Sequence, residues 1–137
     1  MPTVEVSFTP LPAHVRTARL VATAVARRSG VSEALLDEVR LAVGEACSRA
    51  VEAQRLHCPA EPVRISLTNG AGRFEVEVTD TGAAPGAVKG VPGGASAGRP
   101  QGFGLAVIAG LADDVQISES AVGTSIRMSW PSDGLPP

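Results

Sequence analysis

Apolar residues in this chain change their spacing several times, and the order of those periods restricts the fold more than any other feature. Val4, Val6 and Phe8 alternate with polar neighbours, as a half-buried strand does, and Pro10 and Pro12 end the run. From about Ala13 to Arg28 the spacing is helical, with Val15, Ala18, Leu20, Val21, Ala24 and Val25 as the apolar stripe. Gly30 stands where a helix C-terminal cap belongs. Ser32 reads as the N-cap of a second helix reaching about Arg55, with Leu35, Leu36, Val39, Val43, Ala46, Cys47 and Ala50 on its stripe. Period two then returns. Val63, Ile65 and Leu67, followed by Phe74, Val76 and Val78, form a hairpin around the turn-rich link Asn69 to Gly72. Phe103 to Leu111 is helical again, and Val115 and Ile117, then Ile126, Met128 and Trp130, are two strands joined through Gly123. Strand, helix, helix, two strands, helix, two strands predicts an α+β two-layer sandwich, with helices on one face of a mostly antiparallel sheet.

The length of 137 residues suits one domain with a real core and is too short for two. That domain is expected over 1–131, with 132–137 as a flexible tail. Aromatics are only 3% of the chain, so the core must come from Val, Leu, Ile and Ala. The stretch from Gly82 to Gly102 is dominated by Gly, Ala and Pro and buries little, so a lid loop is expected over about 83–101. The net charge of -2 argues against a nucleic-acid or anionic-membrane partner. No apolar run approaches the roughly 20 residues needed to cross a bilayer, and the opening MPTVEVSFTP has neither the basic nor the apolar part of a secretory signal. A cytoplasmic protein is the expectation. Cys47 and Cys58 make no disulfide framework. Together with His57 they lack a fourth zinc ligand, so no metal site is expected. His14 opens the first helix in a capping or surface role, and Trp130 reads as core or edge packing.

Three segments carry chemistry. In Glu45-Ala46-Cys47-Ser48-Arg49-Ala50 the acid and the base are four apart and share a helix face. Read alone, they make an exposed ion pair worth a few tenths of a kcal/mol, roughly. In Thr79-Asp80-Thr81-Gly82 an acid ends a strand just before a glycine, so it can accept hydrogen bonds from a ligand amine while the backbone approaches closely. Read alone, it is an ordinary turn. Gly102-Phe103-Gly104-Leu105 opens a helix with amides suited to a phosphate, although one such motif is weakly specific.

Taken together and in this order, the segments resemble the GHKL superfamily of ATP-binding domains, and within it the single-domain bacterial anti-sigma factors of serine-protein kinase type. The resemblance runs from the first strand through Trp130 and implies the histidine-kinase-like ATPase fold. It implies that Glu45 is the general base, with position 49 the magnesium ligand. It further implies that Asp80 and Gly82 hold adenine and that Gly102 and Gly104 contact phosphates, with Gly123 and Thr124 matching the terminal G-T segment. Relatives use the surface around the first helix to hold a sigma factor, which makes Arg16 and Arg19 partner-contact candidates. Relatives are also commonly homodimers.

Two departures matter. Ala84 replaces the second glycine of the adenine motif, with Gly86 offered nearby, and position 49 is arginine rather than asparagine. Arginine has no acceptor atom and carries a full positive charge, so it cannot ligate magnesium. Two placements are open: Arg49 reaches the phosphates in place of the metal, or it pairs with Glu45 and occupies the base. Either way phosphoryl transfer loses its bridging ion, and kinase activity is expected to be impaired or absent. ATP is the implied cofactor; magnesium is not expected. The leading reading is an anti-sigma regulator that sequesters an RNA polymerase sigma factor and is released by a STAS-type anti-anti-sigma partner. A working serine-protein kinase acting on that partner and a nucleotide-free interaction scaffold are the alternatives.

Overall fold

The computed structural model describes residues 3–82 and 100–132. The elements follow the order β1 (Thr3–Phe8), α1 (Ala13–Arg28), α2 (Glu33–His57), β2 (Val63–Gly70), β3 (Arg73–Asp80), α3 (Pro100–Leu111), β4 (Asp114–Ser120) and β5 (Gly123–Pro131). The five strands form one antiparallel sheet in the order β1-β2-β3-β5-β4. The α+β sandwich expected from the periods is the observed architecture.

Local chemistry explains the element boundaries. Gly30 has φ 95° immediately after α1, and Val31 N–H donates to the Ala26 carbonyl at 3.1 Å, so a left-handed residue closes the helix. The β2–β3 hairpin turns on Ala71 and Gly72, both at positive φ, which matches the twist of the flanking strands. Period two sorts the strand side chains. Val63, Ile65 and Leu67, then Phe74, Val76 and Val78, then Ile126, Met128 and Trp130, are all buried against the helices. The opposite face is polar: Ser125 Oγ donates to Glu77 at 2.6 Å, and Arg127 pairs with Glu75 at 3.3 Å. Trp130 is core, and its indole N–H donates to the Leu111 carbonyl at 3.1 Å.

The α2 stripe is buried as read except for Leu35, which is half-buried, and Ala42, Gly44, Val51 and Gln54 are buried with it. The α1 stripe needs correction. Its buried side is Val15, Ala18, Ala22 and Ala26, whereas Leu20 is 59% exposed and Ala24 faces outward. Small residues line the face toward α2 because the two helices approach closely. The stem of Arg19 lies over Gly44, with its Cδ only 2.6 Å from where a Cβ there would sit. Helix α3 starts at Pro100, three residues before the expected Phe103, so 100 and 101 are helical rather than part of a lid. The remainder of the expected lid, 83–99, including Ala84 and Gly86, lies outside the described residues, as does the tail from 133 onward.

Candidate functional site

The site forms where α2 crosses the ends of β3 and β5. Asp80 has the same strand parity as Phe74, Val76 and Val78, so its side chain lies on the helix-facing side of the sheet. Its cross-strand neighbour Thr124 shares that face. A carboxylate under a helix layer is costly unless paired, and α2 supplies the cation. Arg49 Nη1 donates to Asp80 Oδ2 at 3.2 Å, and Nη2 donates to Thr124 Oγ1 at 3.4 Å. The two side chains are 8% and 2% exposed, making this the buried ion pair among the described residues; the others are at the surface. The other oxygen of Asp80 is also engaged, accepting from the Gly82 N–H at 3.0 Å. Arg49 Nε is buried with no acceptor among the described residues.

This geometry corrects both placements open to Arg49 from sequence. The arginine neither extends freely toward a phosphate position nor pairs with Glu45. It bonds an aspartate 31 residues away. Glu45 is half-buried with no hydrogen bond or ion pair among the described residues.

A second clasp lies beside the first and escaped the sequence reading. Gln54 is fully buried near the end of α2. Its Oε1 accepts from the Thr81 N–H at 2.8 Å, and its Nε2 donates to Thr81 Oγ1 at 2.8 Å and to the Cys58 carbonyl at 3.1 Å. The available signal was a polar residue continuing the spacing of Val43, Cys47, Ala50 and Val51, which must find partners if buried. Gly82 belongs to the same contact. A Cβ there would collide with the Ala53 carbonyl oxygen and lie 2.8 Å from Gln54 N. The backbone that this glycine admits is therefore that of α2, not only that of a ligand. Gly123, at φ 153°, likewise has no room for a Cβ against the Asp80 carbonyl.

The remaining candidates are scattered. Gly102 stands in the first turn of α3, where amides lack helical acceptors, and Gly104 stands a half-turn deeper. Arg16 is exposed on α1, and Arg19 is half-buried over Gly44. His14 Nδ1 lies 3.0 Å from the Thr9 carbonyl oxygen, and its ring meets Phe8 edge-on. No group of three or more metal-ligating side chains exists among the described residues, and no helix among them is long and apolar enough to cross a membrane.

Cys47 lies in the core beneath this site, and burial pushes its thiol up to about 12. A thiol that stays protonated is a poor nucleophile. A thiol reagent at pH 8 is expected to label Cys58, which is half-buried, and to spare Cys47 until the protein unfolds. Peptide mapping by mass spectrometry reads the difference; labelling of both at equal rates would contradict it.

Arg49 has no lone pair for a cation, so it cannot supply the magnesium ligand that the resemblance implies at position 49, and each oxygen of Asp80 already accepts one hydrogen bond from within the chain. What the arrangement does is join α2, β3 and β5.

No curated protein matches the chain. Among solved structures it is similar to the RsbU and RsbW domains of Rv1364c from Mycobacterium tuberculosis, at 17% identity and a TM-score of 0.72, over 96% of this chain and 33% of that one. It thus spans about a third of the length of the mycobacterial chain. It is also similar to a chain of the SiaB–SiaC complex from Pseudomonas aeruginosa, at 10% identity and a TM-score of 0.66, over 93% of this chain and 88% of that one. At these identities the likeness is one of fold. The family model of the histidine kinase-like ATPase domain matches residues 8–130, nearly the full chain, and this protein belongs to that family.

Proposed function

We propose that this protein is an anti-sigma regulator working by partner exchange. It sequesters an RNA polymerase sigma factor, yields it to a STAS-type anti-anti-sigma protein, and carries a degenerate ATP site that transfers no phosphate. The carrying observation is the Arg49–Asp80 ion pair at 3.2 Å, which commits to a carboxylate the side chain at the position where the resemblance implies a metal ligand, and a guanidinium has no lone pair for a metal. Membership of the ATPase family supplies the ancestry. The likeness in fold to part of a chain that holds RsbU and RsbW domains, and to a chain of a SiaB–SiaC complex, supports a reading with protein partners. Exposed Arg16 and the half-buried Arg19 on α1 are the proposed sigma contacts. Such a protein would act in the bacterial cytoplasm, as a homodimer.

The alternative of a working serine kinase draws on Glu45, whose carboxylate has no partner among the described residues and could serve as a base. One experiment separates the two readings. The purified protein is incubated with γ-labelled ATP, magnesium or manganese, and STAS proteins from the same genome. Capture of sigma factors is measured in parallel, with and without ATP. The expected result is a complex with a sigma factor that a STAS protein dissolves equally well without ATP, and no labelled serine. Metal-dependent labelling that Glu45→Ala abolishes would establish the kinase instead.

A further inference from the structure

Asp80 has two oxygens, and each already accepts one hydrogen bond from the protein itself: Oδ2 from Arg49 Nη1 at 3.2 Å and Oδ1 from the Gly82 amide at 3.0 Å. The guanidinium is also tied to Thr124 at 3.4 Å, so it spans from α2 to β3 and β5 at once. Only 2% of the Asp80 side chain is exposed, and the Arg49 guanidinium that lies against it is itself 8% exposed. The floor is held from a second side by Gln54 on Thr81, so the strand end cannot simply shift to open a path.

We infer that Arg49 is an intramolecular occupant of this pocket: its guanidinium takes the donor position on Asp80 that the amine edge of a heterocyclic ligand would take, and the site is shut by autoinhibition. The inference deepens the degenerate-site reading and rests on it for the site's ancestry. It assigns the closure to a single displaceable side chain, not to a pocket lost throughout. The ligand class excluded is one presenting an N–H donor edge, such as a 6-aminopurine. Such a ligand binds only the fraction of molecules in which the guanidinium has swung away, so its apparent affinity falls by that fraction.

Adenosine is the probe, because it brings the amine edge without phosphates and without any need for metal. It is titrated by calorimetry into the wild type, Arg49→Ala and Arg49→Asn, each checked for folding by circular dichroism. The wild type is expected to show no binding at millimolar adenosine, and the variants to bind at least about tenfold more tightly. Failure of both folded variants to gain affinity overturns the inference, as does wild-type binding equal to theirs. Should Arg49→Ala not fold, Arg49→Asn decides. A measurement on the wild type alone also bears on it: the Arg49 side-chain N–H resonances should not move as adenosine is added, and movement at saturable concentrations overturns the inference. Neither readout involves a protein partner, so loss of sigma or STAS capture would count against the proposed function alone.

Discussion

Replacing Asp80 by alanine is expected to cost about 3–5 kcal/mol of folding stability, the range for breaking a buried ion pair from one side. The substitution leaves the Arg49 guanidinium at 8% exposure with only the 3.4 Å bond to Thr124, and its Nε already has no acceptor among the described residues. A charge stripped of its partner in that setting keeps its desolvation penalty and loses the attraction that offset it. Against a typical total of about 5–15 kcal/mol this is a large fraction, and the melting temperature should fall by about 10–20 °C. Arg49→Ala should cost a comparable amount, because Asp80 then keeps only the Gly82 amide. The double replacement Arg49→Met with Asp80→Leu should recover most of the loss, since apolar pairs commonly substitute for buried ion pairs without penalty. Urea denaturation of the wild type, Asp80→Ala, Arg49→Ala and the Arg49→Ala/Asp80→Ala double variant gives the coupling energy directly. Additive single-mutant effects would mean that the pair does not form.

Gly82→Ala is expected to be the second severe change, costing about 3 kcal/mol or more through overpacking against backbone. Its added methyl would occupy the space of the Ala53 carbonyl oxygen, and a helix carbonyl committed to its own ladder cannot rotate aside. The end of β3 would have to lift from α2, stretching the Gln54–Thr81 bonds and unseating Asp80 together. Gly44→Ala is the control with the same chemistry and the opposite expectation. There the new methyl meets Arg19 Cδ at 2.6 Å, the far end of a flexible side chain. That stem can swing away, while alanine gains up to about 1 kcal/mol of helix propensity over glycine. The net change should stay within about 1 kcal/mol. Denaturation midpoints compare the two, and equal costs would show that backbone contact is not what requires glycine at position 82.

Much of the candidate site was legible in the chain, though not its decisive contact. The E-A-x-S-R-A helix, the T-D-T-G strand end and the G-F-G-L helix start were identifiable as segments, because each motif is a local pattern. The alternation from Phe74 through Val78 to Asp80 even contained the parity that sends this carboxylate under the helices. Its consequence, that a helix must supply a cation, lay outside the two placements open to Arg49 from sequence, at the phosphates or on Glu45, because helical spacing identifies neighbours four residues apart and no partner across the fold.

The sequence by itself determined the elements, their order and the α+β class, because hydrophobic period, proline breaks and glycine caps act over a few residues and need no tertiary partner. Only the tertiary structure decided which side of each element mattered. Leu20 and Ala24 fall off the buried face of α1 because packing turned the side carrying Val15, Ala18, Ala22 and Ala26, three or four residues apart, toward the core. Gln54 became a clasp because the end of α2 meets Thr81. Arg49 chose Asp80 over Glu45 because burial raises the cost of an unpaired charge far above the few tenths of a kcal/mol, roughly, that a surface helix pair offers. That burial exists only once α2 has been laid across the strand ends.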